Sequence, residues 1–288
     1  MKHHKSSNQI NFSIITPVKD DIKIFDQIQT FKKMRFKEKI EYLIICNGST
    51  KNFIAKIIES IKDLKYVHVF VLNRSNISAA INYGIKKMNS SKMIIVDSDC
   101  LIDKDFVIPM SKSLNNNLIV RGRVIFQGLN PFSCLSARLR NHIYQTEHNL
   151  FFAPNLAFNK SVFLRIGYFN ETLHSWDSEF GYRANKVGFS LVHAPKARVI
   201  HVCGDSILNE IKVSIKYGEG RAYCYQRCLL GSKSFRTLIK TMRIPCVFCK
   251  KESFVYNLLV FFYVLIWNFG FLKTILFKRQ LWRRDKIK

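Results

Sequence analysis

Acidic residues are scarce in this sequence of 288 residues. Aspartate and glutamate together number 20 against 46 lysines and arginines, which gives a formal net charge of +26. A positive excess of this size favours an anionic partner such as nucleic acid, anionic lipid or a phosphorylated substrate. A biased genomic base composition also produces a chain rich in Lys, Ile, Asn and Phe, which weakens that inference.

Several familiar signatures are absent as well. Residues 1–11 are polar and basic, without the apolar core of a signal peptide, so we expect no secretion signal. No Gly-x-Gly-x-x-Gly follows the first predicted strand, which argues against a dinucleotide-binding Rossmann domain, and no Walker phosphate loop is present. The eight cysteines are irregularly spaced, which favours a reduced, intracellular protein over a disulfide scaffold.

The sequence does contain a regular alternation of short apolar runs and helical spacing. Hydrophobic residues make up 48% of the chain, enough for a core. Three predicted strand–helix units feed a fourth strand, which implies a parallel sheet with right-handed crossovers. The predicted strands are residues 12–16, ended by Pro17, and residues 41–46, 66–72 and 93–96. Two further strands are predicted at residues 189–192 and 197–202.

Polar residues follow the predicted strands at their carboxyl ends, at Thr16, Asn47, Asn73 and Asp97. In an open α/β sheet, ligands bind at that edge. Asp97 and Asp99 are two residues apart and would project from the same side of an extended chain. Two such carboxylates repel unless a cation lies between them, and carboxylate oxygens suit Mg²⁺ or Mn²⁺ carrying a phosphate. The alternative is a solvated turn that simply ends the strand.

Two later residues carry possible chemistry. Asp177 would lie in the first turn of a helix, where the helix dipole favours a carboxylate, so a capping role is the simplest interpretation. His201 ends a predicted strand, where a single histidine is usually structural.

Eight segments resemble, in order, the successive blocks of a family 2 glycosyltransferase. They are residues 13–18, 44–50, 78–84, 96–99, 153–158, 166–170, 177–183 and 199–201. The resemblance covers about residues 11–205 and implies a GT-A fold that transfers a sugar from a nucleotide donor, normally with inversion.

The resemblance also implies roles for three metal-site residues. Asp97 and Asp99 match the Asp-x-Asp motif, in which the second acid binds the metal that bridges the diphosphate and the first lies near the ribose and the metal. His201 matches a C-terminal metal-binding histidine. The implied cofactor is Mn²⁺ or Mg²⁺, which would neutralise the leaving diphosphate as a Lewis acid.

The donor and acceptor positions follow from the same resemblance. Thr16, Pro17 and Asn47 match positions that hold the nucleoside, and Asn155 lies in the segment lining the transferred sugar. The implied donor is a UDP-, GDP- or dTDP-linked sugar.

Asp177 matches the catalytic base, which must accept the proton of the acceptor hydroxyl. Trp176 replaces the acid that usually precedes it, and either stacks on the acceptor or is a core aromatic. Cys46 and Asn47 stand where the family often has two acids, and Asn76 occupies a common Gly position. None of these departures removes the metal-binding Asp99 or the base Asp177.

An uncharged stretch covers residues 253–272. As a helix it would be about 30 Å long, enough to span a bilayer. Basic residues flank it on both sides, so the positive-inside rule gives no orientation. A spanning helix, an interfacial or re-entrant hairpin and a buried helix all remain open. We expect attachment to an anionic membrane surface on the cytoplasmic side, and a glycan or lipid-linked acceptor.

The cysteines of the C-terminal part allow two interpretations. Cys224, Cys228, Cys246 and Cys249 are either buried thiols, which we prefer, or four thiolate ligands of zinc.

The predicted fold is α/β: a GT-A fold with a mostly parallel, Rossmann-like sheet flanked by helices, and a C-terminal helical membrane-associated segment. Residues 1–10 form a basic tail, 11–205 the catalytic domain, 206–252 a basic helical connector, and 253–288 a hydrophobic membrane-associated helix with a basic tail. Nucleic acid is not an expected partner. The alternatives are a nucleotidyltransferase that makes a nucleotide sugar, and a non-catalytic basic protein binding membrane or nucleic acid on a degenerate GT-A fold.

Overall fold

A computed structural model describes residues 10–34, 39–103, 106–146, 151–173, 175–204, 206–228 and 254–277. The described chain divides into two compact units. The first contains residues 1–125, 149–171 and 183–202, and the second residues 126–148, 172–182 and 203–288.

Eight strands in the described residues form one sheet, in the order β3-β2-β1-β4-β7-β6-β8-β5. Strands β1 to β4 pair in parallel, whereas β7 runs antiparallel to β4 and β6, and β5 runs antiparallel to β8. The strands are β1 Phe12–Val18, β2 Ile40–Asn47, β3 Val67–Leu72, β4 Lys92–Ile95, β5 Cys100–Ile102, β6 Ile119–Gln127, β7 Leu156–Asn159 and β8 Leu191–Val202. The mostly parallel α/β sheet that the sequence predicts is therefore present.

Helices follow the parallel strands as the apolar spacing predicts. The helices are α1 Ile24–Lys33, α2 Lys51–Ile61, α3 Ile77–Lys87, α4 Val107–Asn116, α5 Pro131–Thr146, α6 Ser161–Ile166, α7 Trp176–Lys186, α8 Ile207–Cys228 and α9 Phe254–Phe277. A short 3₁₀ turn covers Ala153–Asn155. Local capping fixes two of the starts, because Thr50 accepts the amide of Phe53 and Asn76 accepts the amide of Ala79.

Every residue of β1 and β2 is buried, as expected for central strands covered on both faces. Pro17 does not end β1, contrary to the prediction. Strand β1 pairs with β4 only from Ser13 to Ile15, whereas its pairing with β2 continues to Val18. At Pro17 the strand has one neighbour, so the missing N–H costs no ladder hydrogen bond on the open side.

The two strands predicted at 189–192 and 197–202 are one continuous strand, β8. Pro195 lies inside it, between the two segments that the sequence predicts as separate strands. Only Val199 to His201 pair with β5, so the segment around Pro195 does not need a ladder bond from that strand.

In the second unit, α8 packs against α5 and α9. Arg140 of α5 donates two hydrogen bonds, of 2.8 and 3.0 Å, to the carboxylate of Glu210 on α8. Trp267 and Phe271 of α9 are buried together with Ala222 of α8. This small core joins α8 to α9, and the Arg140–Glu210 hydrogen bonds join α8 to α5.

Candidate active site

The acids Asp97 and Asp99 lie in a tight turn directly after β4, at the carboxyl end of the parallel strands. The amide of Cys100 donates to the carbonyl of Asp97 at 3.1 Å and closes this turn. Both acids are partly exposed. The structure therefore places them where the strand pattern predicts a ligand site.

His201 is brought to Asp99 by the pairing of two strands. Cys100 of β5 lies opposite His201 of β8, and the amide of Val202 donates to the carbonyl of Asp99 at 3.2 Å. As a result, Nε2 of His201 is 3.5 Å from Oδ1 of Asp99. These residues are about 100 positions apart in the sequence, and only the sheet register unites them.

Asp99, Cys100 and His201 form a group that could hold a metal ion. One ligand atom from each lies within 4.8 Å of the others. The side chains of Asp99 and His201 are 27% and 13% exposed, so the pair is partly buried and still in contact with solvent. Carboxylate oxygen suits Mn²⁺, and imidazole nitrogen is a common ligand of divalent transition metals. Burial, followed by the charges of Asp99 and Asp97, raises the pKa of Cys100, so its thiol is neutral at physiological pH.

The sequence analysis did not identify Cys100 as part of this group. Its place immediately after Asp99 was visible in the sequence, but its partner His201 is fixed only by the register of β5 and β8. A cysteine beside an acid carries no metal signal without that partner.

The predicted nucleoside residues form the adjacent part of the same edge. Thr16 and Pro17 are buried in β1, and Asn47 ends β2 with 2% of its surface exposed. The side-chain amide of Asn47 donates to the carbonyl of Val18 at 3.0 Å, which ties the ends of β1 and β2 together. Gly48 follows with φ of +74°, the left-handed turn that the Asn-Gly pair indicates.

A second pair of acids lines this edge and was not predicted as part of the site. The carboxylate of Asp20 accepts the amide and hydroxyl of Thr50 at 2.9 and 3.0 Å. The carboxylate of Asp21 accepts the hydroxyl of Ser98 at 2.8 Å. The loop after β1 is thereby joined to the Asp97–Asp99 turn. The signal that could have revealed it was the Asp20-Asp21 pair in the polar loop that follows Val18 and Lys19.

Asn155 is fully buried and bridges two strands. Its amide nitrogen donates to the carbonyls of Arg123 and Ala197 at 3.2 and 3.0 Å. A side chain at position 122 would meet this amide, since a Cβ on Gly122 would lie 2.2 Å from Nδ2. Oδ1 of Asn155 is buried and has no hydrogen-bond partner within the described residues.

The two remaining predicted residues belong to the second unit. Asp177 lies in the first turn of α7, and its Oδ1 accepts the amide of Ser178 at 2.7 Å. Trp176 is 6% exposed, which leaves both the acceptor-stacking and the core interpretations open. The four C-terminal cysteines, which we interpret as buried thiols in preference to zinc ligands, lie outside the part that the structure describes: Cys246 and Cys249 entirely, and Cys224 and Cys228 by their side chains.

Comparison with protein families gives a match over residues 13–169 to the family described as glycosyl transferase family 2. The matched region is more than half of the chain. The protein belongs to glycosyl transferase family 2. Membership supports a glycosyltransferase that uses a nucleotide sugar, and not the nucleotidyltransferase alternative.

Solved structures of glycosyltransferases share the fold of this family 2 protein. One is the mannosyltransferase PcManGT from Pyrobaculum calidifontis in complex with GDP-Man and Mn²⁺, with a TM-score of 0.61 at 10% identity, covering 96% of this chain and 84% of that one. Another is S. aureus TarS 1-349, with a TM-score of 0.55 at 16% identity, covering 94% of this chain and 75% of that one.

A second TarS 1-349 structure, in complex with UDP-GlcNAc, has a TM-score of 0.53 at 15% identity and covers 72% of this chain and 66% of that one. These likenesses establish the GT-A fold. A search of curated proteins gives no match to this chain.

Proposed function

We propose that this family 2 protein transfers a sugar, with inversion and with a divalent cation, from a nucleotide donor to a glycan or lipid-linked acceptor. The observation that carries the proposal is the approach of Nε2 of His201 to Oδ1 of Asp99, at 3.5 Å, on the sheet edge that also holds Asp97. The Mn²⁺ and GDP-Man bound to PcManGT and the UDP-GlcNAc bound to TarS support the cation and a nucleotide-sugar donor.

In the proposed reaction, the acceptor hydroxyl oxygen forms a bond to the anomeric carbon while the bond from that carbon to the diphosphate oxygen breaks. The hydroxyl proton passes to the carboxylate of Asp177, and the diphosphate leaves with the bonding electrons. Because the attack comes from the face opposite the leaving group, the configuration at the anomeric carbon inverts.

Different residues of the chain would bind different parts of the donor. Asp97, Asp99 and His201 would hold the cation, which when bound neutralises the leaving diphosphate. Thr16, Pro17 and Asn47 would hold the nucleoside. Asn155 would support the sugar-binding segment from beneath, because its buried amide donates to the carbonyls of Arg123 and Ala197.

We place the enzyme at the cytoplasmic face of a membrane. Helix α9 is long and apolar enough to cross a bilayer, with a mean hydropathy of 1.8 over a window that is only 29% buried. Large apolar side chains along it are exposed, including Phe254, Phe262, Phe269 and Phe277. A helix buried in a soluble core would hide these residues, whereas a lipid environment would cover them.

A thermal-shift screen of UDP-, GDP- and dTDP-linked sugars, each with and without Mn²⁺, tests the proposal. A ligand that binds only the native state raises the midpoint of unfolding with its concentration. We expect one class of donor to stabilise the protein only when Mn²⁺ is present. If that donor stabilises the protein equally after all divalent ions are chelated, the proposed metal dependence is wrong.

A further inference from the structure

A glutamine is buried under the metal-binding turn. Gln27 lies on the apolar face of α1 with Ile24, Ile28 and Phe31, and its exposed surface is 0%. An unpaired amide in such a place would be costly, because burying a polar group without hydrogen bonds is unfavourable. The hydrogen-bond partners of the Gln27 amide therefore indicate its role.

Each hydrogen-bonding position of the Gln27 side chain is used. Nε2 donates to the carbonyl of Asp97 and to the carbonyl of Cys100, both at 2.9 Å. Oε1 accepts the hydroxyl of Thr16 at 3.2 Å and the hydroxyl of Tyr42. The orientation of the amide follows from these partners, since carbonyl oxygens can only accept and must face the NH₂ group.

The two carbonyls that Gln27 binds are the ends of the turn that carries Asp99. The same turn is closed by the amide of Cys100 on the carbonyl of Asp97. On the other side of the turn, the amide of Val202 donates a hydrogen bond to the carbonyl of Asp99. The backbone of the turn is thus held from α1 and from β8 at once.

We propose that Gln27 is a positioning residue that sets the geometry of the cation site through the backbone of the Asp97–Cys100 turn. This inference depends on the proposed function, because it assigns a cation to Asp99 and His201. The hydroxyls of Thr16 and Tyr42 fix the amide, so the side chain of Thr16 acts on the site through Gln27. Burial raises the pKa of Tyr42, which keeps its hydroxyl protonated and able to donate.

The test is the affinity for Mn²⁺ alone, measured by electron paramagnetic resonance on purified full-length protein without donor. Gln27→Met keeps the length of the side chain and removes all four hydrogen bonds. Loss of outer-shell support typically weakens metal binding roughly 10- to 100-fold, and we expect a rise of Kd within that range. The matched control is Gln29→Met, at an exposed position of the same helix, which should leave the Kd unchanged.

Tyr42→Phe provides a milder variant that retains Gln27 but removes one of the two hydroxyls that hold it. We expect a smaller increase of the Mn²⁺ Kd in the same direction, and this variant serves if Gln27→Met does not fold. In both variants, kcat measured at saturating Mn²⁺ should recover towards the wild-type value, because the defect lies in binding the cation.

A lower midpoint of thermal unfolding together with an unchanged Mn²⁺ Kd would show that Gln27 is only structural and would overturn the inference. If the wild-type protein itself bound no Mn²⁺, the metal-dependent function and this inference would both fail. If the wild type binds Mn²⁺ and both variants bind it with the same Kd, the inference about Gln27 is wrong but the metal-dependent function still stands.

Discussion

At the scale of single residues, the acids of the candidate site differ in their backbone setting. The pairing of β5 with β8 places Asp99 beside His201. Asp97, at the start of the turn, accepts a hydrogen bond from the Gln27 amide through its carbonyl. The Asp-x-Asp pair was visible in the sequence. Gln27 was visible only as a polar residue on an apolar helix face, a signal that does not reveal its partners.

Asp99→Ala should abolish metal-dependent donor binding, because the carboxylate beside His201 is lost. We expect the Mn²⁺ Kd to rise about 100-fold or more, beyond the loss that an outer-shell change typically causes. Calorimetric titration with Mn²⁺ measures it. The control is Asp103→Ala, which removes only an exposed ion pair with Arg198. Unchanged binding in Asp99→Ala would remove Asp99 from the metal site.

Asp177→Asn should abolish transfer while leaving donor binding intact, because an amide cannot take up the acceptor proton. General-base catalysis typically contributes about 10²- to 10⁴-fold, so kcat should fall by a factor of that size. Single-turnover transfer and donor titration measure the two effects separately. Glu179→Gln, two residues further along α7, is the control. Normal transfer by Asp177→Asn would disprove the assignment of the base.

At the scale of elements, the second unit depends on two close helix contacts. A Cβ on Gly218 of α8 would lie 2.0 Å from the carbonyl oxygen of Trp267, and one on Gly270 of α9 would lie 2.2 Å from that of Ile215. The two glycines let the backbones of α8 and α9 approach where any side chain would push them apart. The sequence pattern alone does not indicate that Ile215 lies against Gly270.

Gly270→Ala should destabilise the second unit, because the added methyl group meets a backbone oxygen that cannot rotate away. Overpacking of this kind costs about 1–3 kcal/mol. Thermal unfolding followed by circular dichroism measures the loss. Gly204→Ala is the control, since a Cβ there meets nothing within 4 Å. Equal midpoints for the two variants would contradict the close packing of α8 on α9.

At the scale of the whole molecule, the net charge and the apolar helix α9 both favour binding to a membrane. The net charge of +26 favours an anionic surface, and α9 presents exposed aromatic side chains that lipid could cover. Either feature alone allows a different partner, since a positive charge also attracts nucleic acid and an apolar face also binds protein. Together they favour an anionic bilayer.

Binding to vesicles that contain anionic lipid should be strong at low ionic strength and weaker near 1 M salt, where the Debye length falls to about 3 Å. Phe269→Asp should weaken it further, because Phe269 is 59% exposed on α9. Leu164→Asp, 83% exposed on α6, is the control. Co-sedimentation measures the bound fraction. Equal binding to neutral vesicles at every salt concentration would contradict an electrostatic contribution.

The sequence by itself determined the layers of the fold and the edge that carries the site. Apolar runs of strand length alternate with helical spacing, and parallel strands must align their carboxyl ends, so Thr16, Asn47 and Asp97 were expected together before any coordinates. The local sequence pattern could not predict which residues, distant in the sequence, contact this edge of the sheet. The pairing of β5 with β8 brings His201 to Asp99, and the fold over β1 seats Gln27 beneath the turn. Such contacts depend on strand register and packing, which arise only when the whole chain is folded.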